Sequence, residues 1–184
     1  MPPVAYAGPS TPLSLPIRPC VGIVLFNPQG LVWVGRRRPK WASNHVWQLP
    51  QGGIEPSEPS REAAFRELWE ETGVRNASLL AEIPGWLSYE LPRDLLGVAL
   101  KGKYGGQRLR WYAMRFEGGD EEIDIGRKGA MKPEFDAWRW VPLKDVPGLA
   151  VEFRRPIYDE VVQEFSGFAR RWARAHGGTQ TVQL

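Results

Sequence analysis

The chain has only one cysteine and two histidines in 184 residues. Cys20 has no second thiol with which to close an internal disulfide, and its neighbours Val21, Ile23 and Val24 assign it to a buried strand. His45 and His176 are too few and too far apart for a zinc site and read as a loop residue and a tail residue. No apolar run approaches the ~20 residues that a membrane span needs. The first residues show neither a charged region followed by an apolar stretch nor an arginine-rich transit pattern, so a cytoplasmic protein is expected. Neither sign of charge dominates: the formal net charge is only +3. The basic residues are scattered and no aromatic RNA-binding motif accompanies them, which argues against a general RNA-binding module.

What the chain does have is an ordinary globular composition, 42% hydrophobic and 24% charged, at a length suited to one core. Residues 1–16 hold five prolines and no charge. Residues 1–17 are therefore expected to form a mobile tail, 18–175 the domain and 176–184 a C-terminal tail. A buried strand is predicted over 21–26, then a turn at Asn27-Pro28-Gln29-Gly30 and a returning strand over 31–35. Further strands are expected at 45–49, 79–91, 109–116 and 138–141, with a polar connection over 118–133. Ile157, Val161, Val162, Phe165, Phe168 and Trp172 recur near helical spacing, which predicts a helix over 156–175 with Pro156 near its start. Strands interleaved with two helices make the class α/β, with helices on both faces of the sheet.

The densest information lies between Gly52 and Val74. Five residues separate Gly52 from Glu58, and seven more precede Arg66-Glu67-Leu68-Trp69-Glu70-Glu71-Thr72-Gly73-Val74. Glu67, Glu70 and Glu71 stand at i, i+3 and i+4, so a helix projects their carboxylates from one face. Such a cluster is often a solvated surface, yet packed like charges repel. A bound Mg²⁺ or Mn²⁺ ion reverses that, because hard cations prefer carboxylate, carbonyl and phosphate oxygens. Pro50-Gln51-Gly52-Gly53 reads as a loop, Ser57 as the N-cap, Pro59 as a first-turn residue and Gly73 as the left-handed C-terminal stop. Ala64, Phe65, Leu68 and Trp69 form an apolar stripe, so the helix is expected to show its acids to water and bury its opposite face.

This segment resembles the signature box of the Nudix hydrolases at every defined position. The resemblance implies the Nudix fold, an α/β/α sandwich with a central mixed sheet. It implies Glu67 and Glu71 as principal metal ligands, Glu70 as completing or bridging the cluster, the Gly52 carbonyl as another ligand, and Glu58 and Arg66 as a supporting ion pair. Outside the box, Trp86-Leu87-Ser88-Tyr89-Glu90-Leu91-Pro92, Gly106-Gln107-Arg108-Leu109-Arg110-Trp111-Tyr112 and Val151-Glu152-Phe153-Arg154-Arg155 resemble one branch of that family. So does Pro133-Glu134-Phe135-Asp136-Ala137-Trp138-Arg139-Trp140-Val141. The branch contains the bacterial RNA 5′-pyrophosphohydrolases and the diadenosine-tetraphosphate hydrolases of bacteria and plants.

By that resemblance Glu134 is an additional acid near the metals, either a ligand or the base that orients water. Phe153 is an aromatic on which a purine stacks, with Arg154 beside it on phosphate; the other reading of Phe153 is a core residue. Arg18 and Arg37 contact phosphate from two sides of the cleft. Tyr89 occupies the place of a substrate-site tyrosine and is equally readable as core. The implied mechanism is metal-assisted hydrolysis, with two or three Mg²⁺ ions (Mn²⁺ or another divalent cation serving instead) on Gly52, Glu67, Glu70, Glu71 and Glu134. The leading expectation is removal of pyrophosphate from triphosphorylated RNA 5′ ends. The alternative is a dinucleoside-polyphosphate hydrolase that yields ATP and AMP from diadenosine tetraphosphate. A non-catalytic nucleotide-sensing module is disfavoured because such modules lose box carboxylates and this chain keeps them. The sequence leaves the oligomeric state open.

Overall fold

The computed structural model describes residues 15–38, 46–126 and 132–175, with side chains up to residue 167. Residues 1–14 of the N-terminal tail expected over 1–17, the expected tail at 176–184, Lys40, His45, His176 and residues 127–131 of the polar connection lie outside it, while Ile17 already belongs to the first strand. So do the side chains of Phe168, Arg170, Arg171, Trp172 and Arg174.

The axis of the fold is β1 (Ile17–Phe26), which runs parallel to β7 (Gly106–Phe116) from Ile17↔Gly106 to Phe26↔Arg115. Its apolar run is unbroken because both of its faces are buried. Cys20, Val24 and Phe26 enter one core, while Val21, Ile23 and Leu25 enter the other. Antiparallel pairings complete a mixed sheet of eight strands. β2 (Val32–Arg37) pairs with β1, β3 (Trp47–Gln48) and β8 (Phe135–Val141), and β4 (Gln51–Gly53) pairs with β1.

Helix α1 (Ser60–Thr72) covers one face with Ala63, Ala64 and Leu68. Helix α3 (Arg155–Ala175), preceded by the one-turn α2 (Val146–Leu149), covers the other with Ile157, Tyr158, Val161 and Phe165. The expected α/β/α sandwich is present. Among the described residues no helix is long and apolar enough to cross a membrane.

Three local expectations are corrected. The stretch 50–53, read as a loop, is strand from Gln51 to Gly53, because its backbone pairs with Cys20, Val21 and Gly22 of β1. The stretch 79–91 is not one strand: β5 (Ala77–Glu82) and β6 (Leu87–Glu90) are separate and pair with different halves of β7. Pro84 and Gly85 interrupt the run, since proline has no N–H for a ladder. Ser57 is not the N-cap either. It adopts a left-handed backbone (φ 65), and α1 starts behind Pro59 with no side-chain cap. Glu58 shapes this turn instead, accepting the Glu55 N–H at 2.9 Å. The other end follows expectation, with Gly73 at φ 80 closing the helix through its N–H to the Trp69 carbonyl.

Candidate active site

The site forms where β4 lies across the acidic face of α1. Pairing of β4 with β1 carries residues 51–53 onto the sheet next to the helix. The Gln51 N–H donates to the Glu71 Oε2 at 2.9 Å. A side chain at Gly52 would overlap the Glu67 carboxylate, so only glycine lets backbone and acid approach this closely.

Arg66 is the electrostatic hub. Its fork engages Glu58 through two bonds, of 2.7 and 2.8 Å, and donates to the Gly53 carbonyl at 2.8 Å. The same guanidinium reaches Glu67 at 2.8 Å and Glu70 at 3.3 Å. The expected Glu58–Arg66 pair is thus one part of a larger network. Arg66 hydrogen bonds hold the Glu58 carboxyl below the usual carboxylate range.

The acids are not shown to water. Glu67 and Glu71 are only 9% and 8% exposed, because β4 closes over the helix face that periodicity alone left open. Burial pushes the Glu67 carboxyl up, with Arg66 pulling against it. Glu71 is raised further, first by burial and then by the charges of Glu134 and Glu67. Its only hydrogen bond among the described residues is the Gln51 N–H.

Buried carboxylates in excess of buried cations, flanked by the β4 backbone, offer the oxygen donors that a hard divalent ion takes. Among the described residues no three acids already converge as a ligand set. Arg66 holds Glu67 and Glu70 while Gln51 holds Glu71, so an incoming ion would compete with the guanidinium for the first two.

Around this centre the structure gathers the other residues singled out in the sequence. Arg18 packs against Gly53 and lines a cleft of about 600 Å³ together with Glu67, Glu70 and Tyr104. Arg37, at the end of β2, pairs at 2.7 Å with Glu134, which immediately precedes β8. Both charges act on Glu71, Glu134 raising its pKa and Arg37 lowering it.

A second wall, beneath α3, holds Tyr89, Phe153 and Arg154. The Tyr89 and Phe153 rings lie 5.4 Å apart, and Arg154 sits 5.5 Å above Tyr89. Arg154 is buried, donating to the Gln48 Oε1 at 2.7 Å, while its Nε has no hydrogen-bond partner among the described residues. Tyr89 is buried as well, its hydroxyl on the Gln107 amide oxygen, and Phe153 is half-buried against the core.

Sequence reasoning missed Gln48, Gln51, Gln107 and Tyr158. The Tyr158 hydroxyl accepts the Leu49 N–H and donates to the Gln51 Oε1, each at 3.3 Å, which ties α3 to β4, the strand carrying Gly52. Gln107 bonds Tyr89 and reaches the Cys20 Sγ at 3.3 Å. Amides inside apolar strands were the available signal, since a buried amide needs partners.

The sequence matches the NUDIX domain over residues 16–161. It is 54% identical over 162 residues to the RNA pyrophosphohydrolase of Rhizobium meliloti, covering 85% of this chain and 97% of that protein. The RNA pyrophosphohydrolase of Nitrobacter winogradskyi is 52% identical over 158 residues, covering 84% and 93%. Solved structures share the fold at low identity. The MutT protein from Methanosarcina mazei Go1 has a TM-score of 0.60 at 21% identity, covering 83% of this chain and 97% of that one. An Ap4A hydrolase binary complex from C. elegans has a TM-score of 0.57 at 18% identity, covering 82% and 99%. With the family matched over residues 16–161 and relatives half identical over nearly their whole length, the chain belongs to the Nudix family.

Proposed function

We propose that this protein is a hydrolase of phosphoric anhydride bonds that removes pyrophosphate from the 5′ end of triphosphorylated RNA, with Mg²⁺ as the working cation and Mn²⁺ as a substitute, in the cytoplasm. The observation that carries this reading is identity of about half to RNA pyrophosphohydrolases across 97% and 93% of their length. The intact box supports a catalytic rather than a sensing role. Nudix hydrolases generally need divalent cations, and Glu67, Glu70, Glu71, Glu134 and the Gly52 carbonyl are the residues that would hold them here. When bound, the cation supplies Lewis-acid stabilisation of phosphate charge.

The chain's own groups do the rest by positioning. The Gln51 N–H fixes the Glu71 carboxylate, and Arg66 sets the rotamers of Glu58, Glu67 and Glu70. Arg18 and Arg37 supply positive charge from two sides for the triphosphate. Phe153, beside Tyr89 and Arg154, offers an aromatic surface to the first bases. Water adds across the anhydride, leaving a 5′-monophosphate and pyrophosphate, and no residue is required to form a covalent intermediate.

The test compares specificity constants of the purified protein for triphosphorylated RNA and for diadenosine tetraphosphate, with Mg²⁺ and then Mn²⁺. A higher value for RNA is expected. A clear preference for diadenosine tetraphosphate would replace this reading with the dinucleoside-polyphosphate one.

A further inference from the structure

Beyond the cleft, the α1 face of the sheet continues into an unusual surface. Trp86, just ahead of β6, is 41% exposed. Two guanidiniums lie on its ring, Arg108 at 4.8 Å and Arg110 at 5.8 Å. Arg108 has no acidic partner among the described residues, and Arg110 has only a long contact with Glu82 at 3.9 Å and a buried Nε without a hydrogen-bond partner. Strand register ties this patch to the site. Arg108 stands beside Pro19, which lines the cleft, and across from Ser88 of β6, while Arg110 stands beside Val21. From β1 to β6 is two strand spacings, about 10 Å.

An arginine stacked on an indole keeps its N–H edge free for an anion, and the indole fixes where that edge points. A single-stranded nucleic acid alternates flat bases with phosphates, so it matches this alternation of ring and cation. We propose that Trp86, Arg108 and Arg110 form a binding strip for the RNA chain just downstream of the processed 5′ end. The strip sets a preference for longer RNA and leaves the hydrolytic step to the acids. This inference rests on the RNA reading above.

The test measures kcat/KM for a triphosphorylated dinucleotide and for a triphosphorylated RNA of about ten nucleotides. Wild type is compared with Trp86→Ala and Arg108→Gln, with melting curves on each. The expected result is unchanged turnover of the dinucleotide and a loss of at least about fivefold on the longer RNA. For Arg108→Gln the salt dependence of binding the longer RNA should also flatten by about 0.7 in log–log slope. Equal losses on both lengths, or a fallen melting temperature that accounts for them, would overturn the strip alone. Full activity of both variants on both lengths would also overturn it and leave the patch to a protein partner. A wild type inert toward both RNAs would remove the RNA reading itself, and the strip with it.

Discussion

Gly52 has no room for a side chain because the Glu67 carboxylate occupies the place a Cβ would take. A backbone position of β4 and an acid fifteen residues later are thereby packed in direct contact. Replacing Gly52 by Ala should separate them. The expected outcome is a loss of about 10²-fold in kcat/KM with a stability cost of about 1–3 kcal/mol from overpacking. Steady-state kinetics and thermal melting on one preparation check both numbers.

Glu71→Gln should lower turnover by 10²-fold or more, corresponding to about 3 kcal/mol of lost charge stabilisation. The glutamine oxygen can still accept the Gln51 N–H, so circular dichroism should show the helix unchanged. The metal-free variant should melt higher than wild type, since a buried charge raised by burial and by Glu134 is gone. Retention of more than roughly a tenth of the wild-type rate would take Glu71 out of the metal site.

Metal removal should reveal a pH signature. Glu67 and Glu71 have pKa values raised in the fold, so their folded forms bind protons more tightly than the unfolded chain. That contribution to stability is full below the unfolded value of about 4.3 and is lost as pH rises through the folded values. Glu58 is lowered and works the other way, its stabilisation fading as pH falls through its folded value. With chelator present, the melting temperature should therefore climb from neutral pH into the mildly acidic range and drop at lower pH. Saturating divalent cation should lift the neutral end most. A melting temperature flat between pH 7 and 5 in chelator would contradict the burial argument.

Phe153→Ala separates base stacking from core packing. Its ring is half-buried and touches Tyr89, so the stability loss should stay below the about 3–5 kcal/mol of a fully buried phenylalanine. Catalytic efficiency on triphosphorylated RNA should fall by about 5- to 150-fold. Normal kinetics from the folded fraction of a destabilised variant would make Phe153 a packing residue only.

Cys20 is fully buried, and burial pushes its thiol up to about 11. A thiol reagent at pH 8 should therefore label the folded protein only as fast as it opens, and rapidly once denaturant is added. Prompt labelling of the native protein would place Cys20 at a surface.

The candidate site was legible in the sequence because its pattern is local. Carboxylates at i, i+3 and i+4, an arginine one residue ahead of them and a terminating glycine are properties of one helix, and no distant contact can change their spacing. The unbroken apolar run of β1 and the apolar spacing of α3 were legible for the same reason, and together they implied a two-faced sheet. What only the tertiary structure decided is what covers what. Glu67 and Glu71 are buried because pairing with β1 brings β4 over them. One arginine serves three glutamates because all three converge on its fork. Tyr158, 107 residues from Gln51, steadies the strand β4 that faces the acids, and Glu134 acts on Glu71 only because β8 pairs with β2. Dielectric environment and charge proximity depend on such long-range packing, so the pKa shifts of the site belong to the fold, whereas the identity of its candidate ligands was read from the sequence.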